Sequence, residues 1–93
     1  MERAESAVLI DSDRVRVTAW KFAPGQATGV HRHEFDYVVV PVSGGAFTVT
    51  ASGGTAQMNQ QAGQAYARQA GVEHDVANSG QQEALFVEVE LKT

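Results

Sequence analysis

The chain has 93 residues, of which 43% are apolar, 19% charged and 8% aromatic, and it carries a formal charge of −4. That suits one small globular domain over residues 1–93 and excludes both a second domain and wholesale disorder. The seven Lys and Arg form no run or stripe and there is no Cys, so nucleic acid, anionic membranes, disulfides and thiolate chemistry are all excluded by composition.

Short alternating or β-branched stretches dominate, separated by glycine-bearing turns, which is the pattern of an all-β protein. Residues 14–20 (RVRVTAW) alternate with period two until Ala23-Pro24-Gly25 breaks them. Residues 37–42 (YVVVPV) form the strongest strand, with Pro41 pointing to a sheet edge or a bulge. Ser43-Gly44-Gly45 turns the chain into a strand at 46–50, and Ser52-Gly53-Gly54 makes a hairpin into 55–58. Further strands are expected at 64–68, 73–77 and 84–91, the last two joined by Asn78-Ser79-Gly80. Glu88 and Glu90 alternate with Val87, Val89 and Leu91, which reads as a terminal strand with one wet face. Eight or nine strands leave little room for helix. The expected architecture is an antiparallel β-barrel or double-sheet jelly roll in one domain.

The start, Met1-Glu2-Arg3-Ala4-Glu5-Ser6, has mixed charge and no signal-like apolar stretch after it. The apolar run 37–42 falls far short of the roughly 20 residues that cross a bilayer as a helix. The expectation is a cytoplasmic protein with no membrane partner.

The three histidines carry the chemistry. His31 and His33 are one residue apart, so on a strand both side chains face the same way, about 6–7 Å apart along the backbone. His74 comes from a distant strand after the Ala70-Gly71 turn, and two ligands on one strand plus one from another can converge on a single ion. A His-x-His pair by itself more often just faces solvent, and a lone His is more often a hydrogen-bonded structural residue.

The spacing around these residues resembles the cupin superfamily. Its first motif reads G-x5-H-x-H-x3–4-E-x6-G; here stand Gly25, His31, His33, Tyr37 and Gly44. Its second reads G-x5-P-x-G-x2-H-x3-N; here stand Gly63, Gln69, Gly71, His74 and Asn78. Eight of the ten named positions match, and the three histidines fill the three histidine slots, which sets this case apart from a chance His-x-His. The segments HRHEFDYVVVPV and AGVEHDVAN are also similar to a small bacterial group labelled β-alanine degradation proteins.

The resemblance implies a double-stranded β-helix, or jelly-roll cupin barrel, holding one divalent transition metal ion. Iron(II) is the first expectation, and zinc, nickel or manganese would suit imidazoles as well. Cupins usually complete this site with the motif glutamate, whose slot here holds Tyr37, so the implied ligand set is His31, His33 and His74 alone, as in thiol dioxygenases and some other metal oxygenases. Gln69 in the proline slot alters only a turn. Strand parity puts Tyr37 on the side of His31 and His33 and turns Glu34 and Asp36 away, unless a bulge brings Asp36 back as a ligand. Tyr37 then serves as hydrogen-bond donor or acid/base at the ion, or is simply a core aromatic.

Tyr66 and Arg68 share a face on the strand before His74. If that face is interior, Arg68 can clamp a substrate carboxylate; if exterior, it pairs with a surface acid. Trp20, Phe22, Phe47, Met58 and Phe86 suit a pocket mouth or, more simply, core or dimer packing. Gly25, Gly44, Gly63 and Gly71 read as turn residues, and Asn78 as the shaper of its turn.

These residues support three functional readings. The first is a metal-dependent enzyme of oxygenase type acting on a small polar or carboxylated molecule. The others are a non-catalytic cupin that binds a small ligand or metal as a sensor, and a metal-dependent isomerase, lyase or decarboxylase. Small size, with apolar strands at residues 8–10 and 85–91 that read as edges wanting cover, adds the expectation of a homodimer.

Overall fold

A computed structural model describes residues 2–93, and among them there is no α-helix. Nine strands run in chain order as β1 (Glu5–Asp11), β2 (Val15–Phe22), β3 (His31–Arg32), β4 (Asp36–Pro41), β5 (Gly45–Ala51), β6 (Gly54–Gln60), β7 (Tyr66–Arg68), β8 (Glu73–Asn78) and β9 (Ala84–Leu91). They form two sheets, β1-β2-β9-β4-β7 and β3-β8-β5-β6, and every strand pair is antiparallel. This is the two-sheet jelly-roll arrangement expected from the short alternating strands.

Alternation sorts the side chains. In the five-stranded sheet, Thr18 pairs with Glu88, Trp20 with Phe86 and Val39 with Glu88, all facing the space between the sheets. The neighbouring pairs Val17–Val89, Ala19–Val87, Val38–Val89 and Val40–Val87 face the other way. The interior is closed at one end by Phe22, Phe47 and Phe86, each within 5.2–5.7 Å of the other two ring to ring. Tyr37, Val39, Val76 and Ala84 complete this core.

Asn78 ties the closed end together. Its Nδ2 donates to the carbonyls of Phe22 and Gln82, and its Oδ1 accepts from the amide of Gly80. It therefore shapes the expected turn and also anchors the end of β2.

Several strand expectations are corrected. Pro41 marks no bulge but a local border of the sheet: it is the last residue of β4, paired with β9 only and beyond the Val39–Tyr66 pair where pairing with β7 stops, so its missing N–H removes no rung. The segment from His31 to Tyr37 is not one strand: the chain leaves one sheet at Arg32 and joins the other at Asp36. The C-terminal strand is not an edge, because β9 lies between β2 and β4. One edge of that sheet is β1, whose Val8, Leu9 and Ile10 are more than half exposed and whose register slips between Val8 and Ile10; the other is β7.

Candidate metal centre

His31 lies on β3 directly opposite His74 on β8. His33 follows β3 and is held there by two backbone bonds, its amide to the Val72 carbonyl and its carbonyl from the Gly71 amide. Gly71 has φ +96°, a conformation in which glycine alone is unstrained, so the turn that delivers His74 depends on it. These elements bring the three imidazoles together at one end of the barrel.

His31 Nε2 lies 3.1 Å from His33 Nε2, and His33 Nε2 lies 3.2 Å from His74 Nε2. The three candidate ligand atoms fall within 4.8 Å of one another. Imidazoles bound to a common ion at 2.0–2.1 Å, at angles between a right angle and a tetrahedral one, have their nitrogens about 3–3.4 Å apart. The spacings of His33 to His31 and to His74 are those of ligands on a single divalent ion.

The tautomers fit as well. His31 Nδ1 lies 2.8 Å from the Gly29 carbonyl, which can only accept, so in the neutral ring Nδ1 carries the proton and Nε2 presents a lone pair. Burial, and then the charge of His31, hold His33 down at about 4. The same two causes bring His74 to about 4. Both rings are therefore neutral near pH 7, the state that binds metal.

Tyr37 is 2% exposed, and its ring stacks on that of His33 with centroids 3.8 Å apart and planes at 18°. Burial, and then the nearby Glu88 carboxyl, push its phenol up to about 12, so it stays protonated. Parity gave its interior position correctly, although the reason differs, since the chain changes sheets in between. Asp36 does not return to the site. It is exposed, and its Oδ1 accepts from the Ala70 amide at 2.8 Å, which fixes the turn before β8.

Beside the triad lies a cavity of about 310 Å³, bordered by His74, Tyr37, Tyr66, Arg68 and Glu88 and walled by Val39, Val49, Met58, Val76 and Phe86. Tyr66 and Arg68 pair with Val39 and Tyr37, so their shared face is the interior one. The guanidinium of Arg68 sits 4.5 Å above the Tyr66 ring and bonds the Ala67 carbonyl. It makes no ion pair with an acid among the described residues. Tyr66 accepts a hydrogen bond from Gln60 Nε2 at 2.9 Å, which leaves its own O–H free to donate. Of the five aromatic and Met candidates, Met58 and Phe86 line this cavity, Trp20 lines a second opening, and Phe22 and Phe47 are core.

Glu88 is the residue that sequence reasoning placed on the wrong face. It is 8% exposed and faces inward beside Phe86, while Val87 and Val89 face out. Trp20 Nε1 donates to its Oε1 at 3.2 Å. Burial pushes its carboxyl up to about 7, against the pull of the Trp20 bond. It borders both the larger cavity and the second opening, of about 250 Å³, which is lined by His31, His33, Trp20 and Glu34. A glutamate alternating with valines reads as a solvated face, and only the inward Phe86 and Ala84 in the same phase could have signalled otherwise.

A family model described as the cupin domain matches residues 18–90. The chain is 48% identical over 90 residues to the β-alanine degradation protein BauB of Pseudomonas aeruginosa, covering 97% of this chain and 95% of that one. A crystal structure of a cupin domain from Bordetella pertussis superposes with a TM-score of 0.96 at 43% identity, over 99% of this chain and 96% of that one. A conserved double-stranded β-helix protein from Klebsiella pneumoniae superposes at 0.80 with 23% identity, over 97% and 77% of the two chains, and shows the fold alone.

Proposed function

The chain belongs to the cupin family, and from that premise we propose that it is a metal-dependent enzyme of oxygenase type, binding one divalent ion, iron(II) foremost, through His31, His33 and His74. Its substrate is a small polar or carboxylated metabolite held in the cavity beside His74. The observation that carries this reading is the convergence of the three imidazoles, with His33 Nε2 at the spacing of ligands on a common ion from both His31 Nε2 and His74 Nε2.

When bound, such an ion supplies a Lewis acid with open positions, and iron(II) adds dioxygen chemistry. The chain's own residues do the rest. The free N–H groups of Arg68 bind a substrate carboxylate at the cavity rim, with Tyr66 beneath holding the guanidinium in place. Val39, Val49, Val76 and Phe86 exclude water from the substrate's apolar part. Tyr37, fixed by its stack on His33, offers a phenol proton toward a substrate oxygen.

The protein is further proposed to work in the cytoplasm as a homodimer. The outward face of Val17, Val38, Val40, Val87 and Val89, with the exposed edge β1, supports self-association.

Metal content after purification from unsupplemented medium tests the central claim. We expect about one equivalent of iron, nickel, zinc or manganese per chain, as a single site requires, and its loss in His31→Ala/His74→Ala. A wild-type chain that stays metal-free after reconstitution overturns the enzyme reading.

A further inference from the structure

Glu88 is buried, and Trp20 Nε1 is its one hydrogen-bond partner among the described residues. No described Lys or Arg pairs with it. Glu88 lines the 310 Å³ cavity, and so does Arg68, whose guanidinium has no acid partner among the described residues either. Strand β4 stands between them: Val39 pairs with Glu88 on one side and with Tyr66 on the other, and Arg68 lies opposite Tyr37 one step along the same face.

A carboxyl group this deep without a counter-ion carries a desolvation penalty, and a cation brought to it inside a dry cavity relieves that penalty. A rim guanidinium stacked on an aromatic ring has its planar fork preset for a carboxylate. Between the two stand apolar walls of valine, methionine and phenylalanine. The cavity volume is at the low end of the range for ligand sites, about 300–1,000 Å³.

We propose that the cavity is a receptor for a small zwitterion, an unbranched amino acid whose carboxylate lies on Arg68 and whose ammonium lies on Glu88. This rests on reading the cavity as the ligand chamber of the metal centre, and it narrows a carboxylated metabolite to one carrying an amine. The raised affinity of Glu88 for a proton is consistent with this, since the ammonium supplies the positive charge that the site lacks. The amine also tells this ligand from a simple fatty acid, which would leave Glu88 unpaired.

The test is calorimetric titration of the full chain with a length series of ω-amino acids from glycine to 5-aminopentanoate, against butanoate and butylamine. At least one amino acid is expected to bind ten times more tightly than either single-charge analogue. Glu88→Gln should lower that amino acid's affinity at least tenfold and leave butanoate unchanged, whereas Arg68→Gln should weaken both. Butanoate binding as well as the best amino acid, no binding by any amino acid, or a selectivity that survives Glu88→Gln would each overturn the proposal. The wild-type comparison stands even if a variant fails to fold. Metal content measured on the same samples reports separately on the metal centre, so failure of that reading is distinguishable from failure of this one.

Discussion

Glu88 and the histidines His33 and His74 pull the stability of the metal-free protein in opposite directions as pH changes. The folded chain raises Glu88 from 4.5 to about 7, so between those values it holds a proton that the unfolded chain has lost. Stability from this group is present below pH 4.5 and falls as pH rises toward 7. His33 and His74, lowered from 6.5 to about 4, act the other way: the unfolded chain takes up protons first, so their contribution is lost as pH drops through that window. The difference between wild type and Glu88→Gln isolates the first effect. In denaturant melts of chelator-treated protein, the variant should gain on the wild type by about 3 kcal/mol at most between pH 4.5 and 7.5, because each tenfold change in proton affinity is worth about 1.4 kcal/mol. A constant offset across that range would show that Glu88 titrates normally.

At the scale of elements, the strand periodicity was legible in the sequence and its consequences were only partly so. The period-two pattern of β2 and β9 gave their location, because every second residue must meet the same face. It could not say which face was inside, and a Glu–Val alternation invites the wrong choice. Nor could spacing reveal that the chain changes sheets between His33 and Asp36, since parity happens to agree across the crossing. The three histidines were legible because a ligand set needs fixed spacing around fixed turns. Arg68 was legible as a candidate, but its interior face needed the Tyr37–Arg68 pairing.

Gly44 belongs to this scale too. With φ +76°, it places an added Cβ 2.9 Å from the backbone carbonyl oxygen of Gln60, so strain and contact add. Gly44→Ala should lower the unfolding free energy by about 1–3 kcal/mol, read from the denaturation midpoint. A change under a few tenths would mean that the turn between β4 and β5 relaxes freely.

The whole molecule is small enough that its outer surfaces matter as much as its interior. The outward valines of β2, β4 and β9 form one continuous sheet face, and β9 is the middle strand of that sheet, so covering it would protect its centre as well as its border. Light scattering at micromolar concentration should give twice the 9.9 kDa chain mass. A lysine at Val89 should bring it back toward one chain by placing a charge in the middle of that face. A wild-type mass near that of one chain would remove the dimer.

The two-residue strand β3 has a consequence for motion. Its partner is β8, through two residue pairs, yet it carries one of the three imidazoles, and another follows immediately. So short a strand should open far more often than the long β2–β9 ladder, on its own and without unfolding the barrel. An ion gripping His31, His33 and His74 would act as a cross-link over that weak seam. At a hundredfold excess over its dissociation constant, it would stabilise the closed form by about 2.7 kcal/mol. Deuterium uptake by residues 31–33 should then slow by about a hundredfold on metal loading, through that same free energy, while β9 barely changes. Equal slowing everywhere would mean that this corner never opens alone.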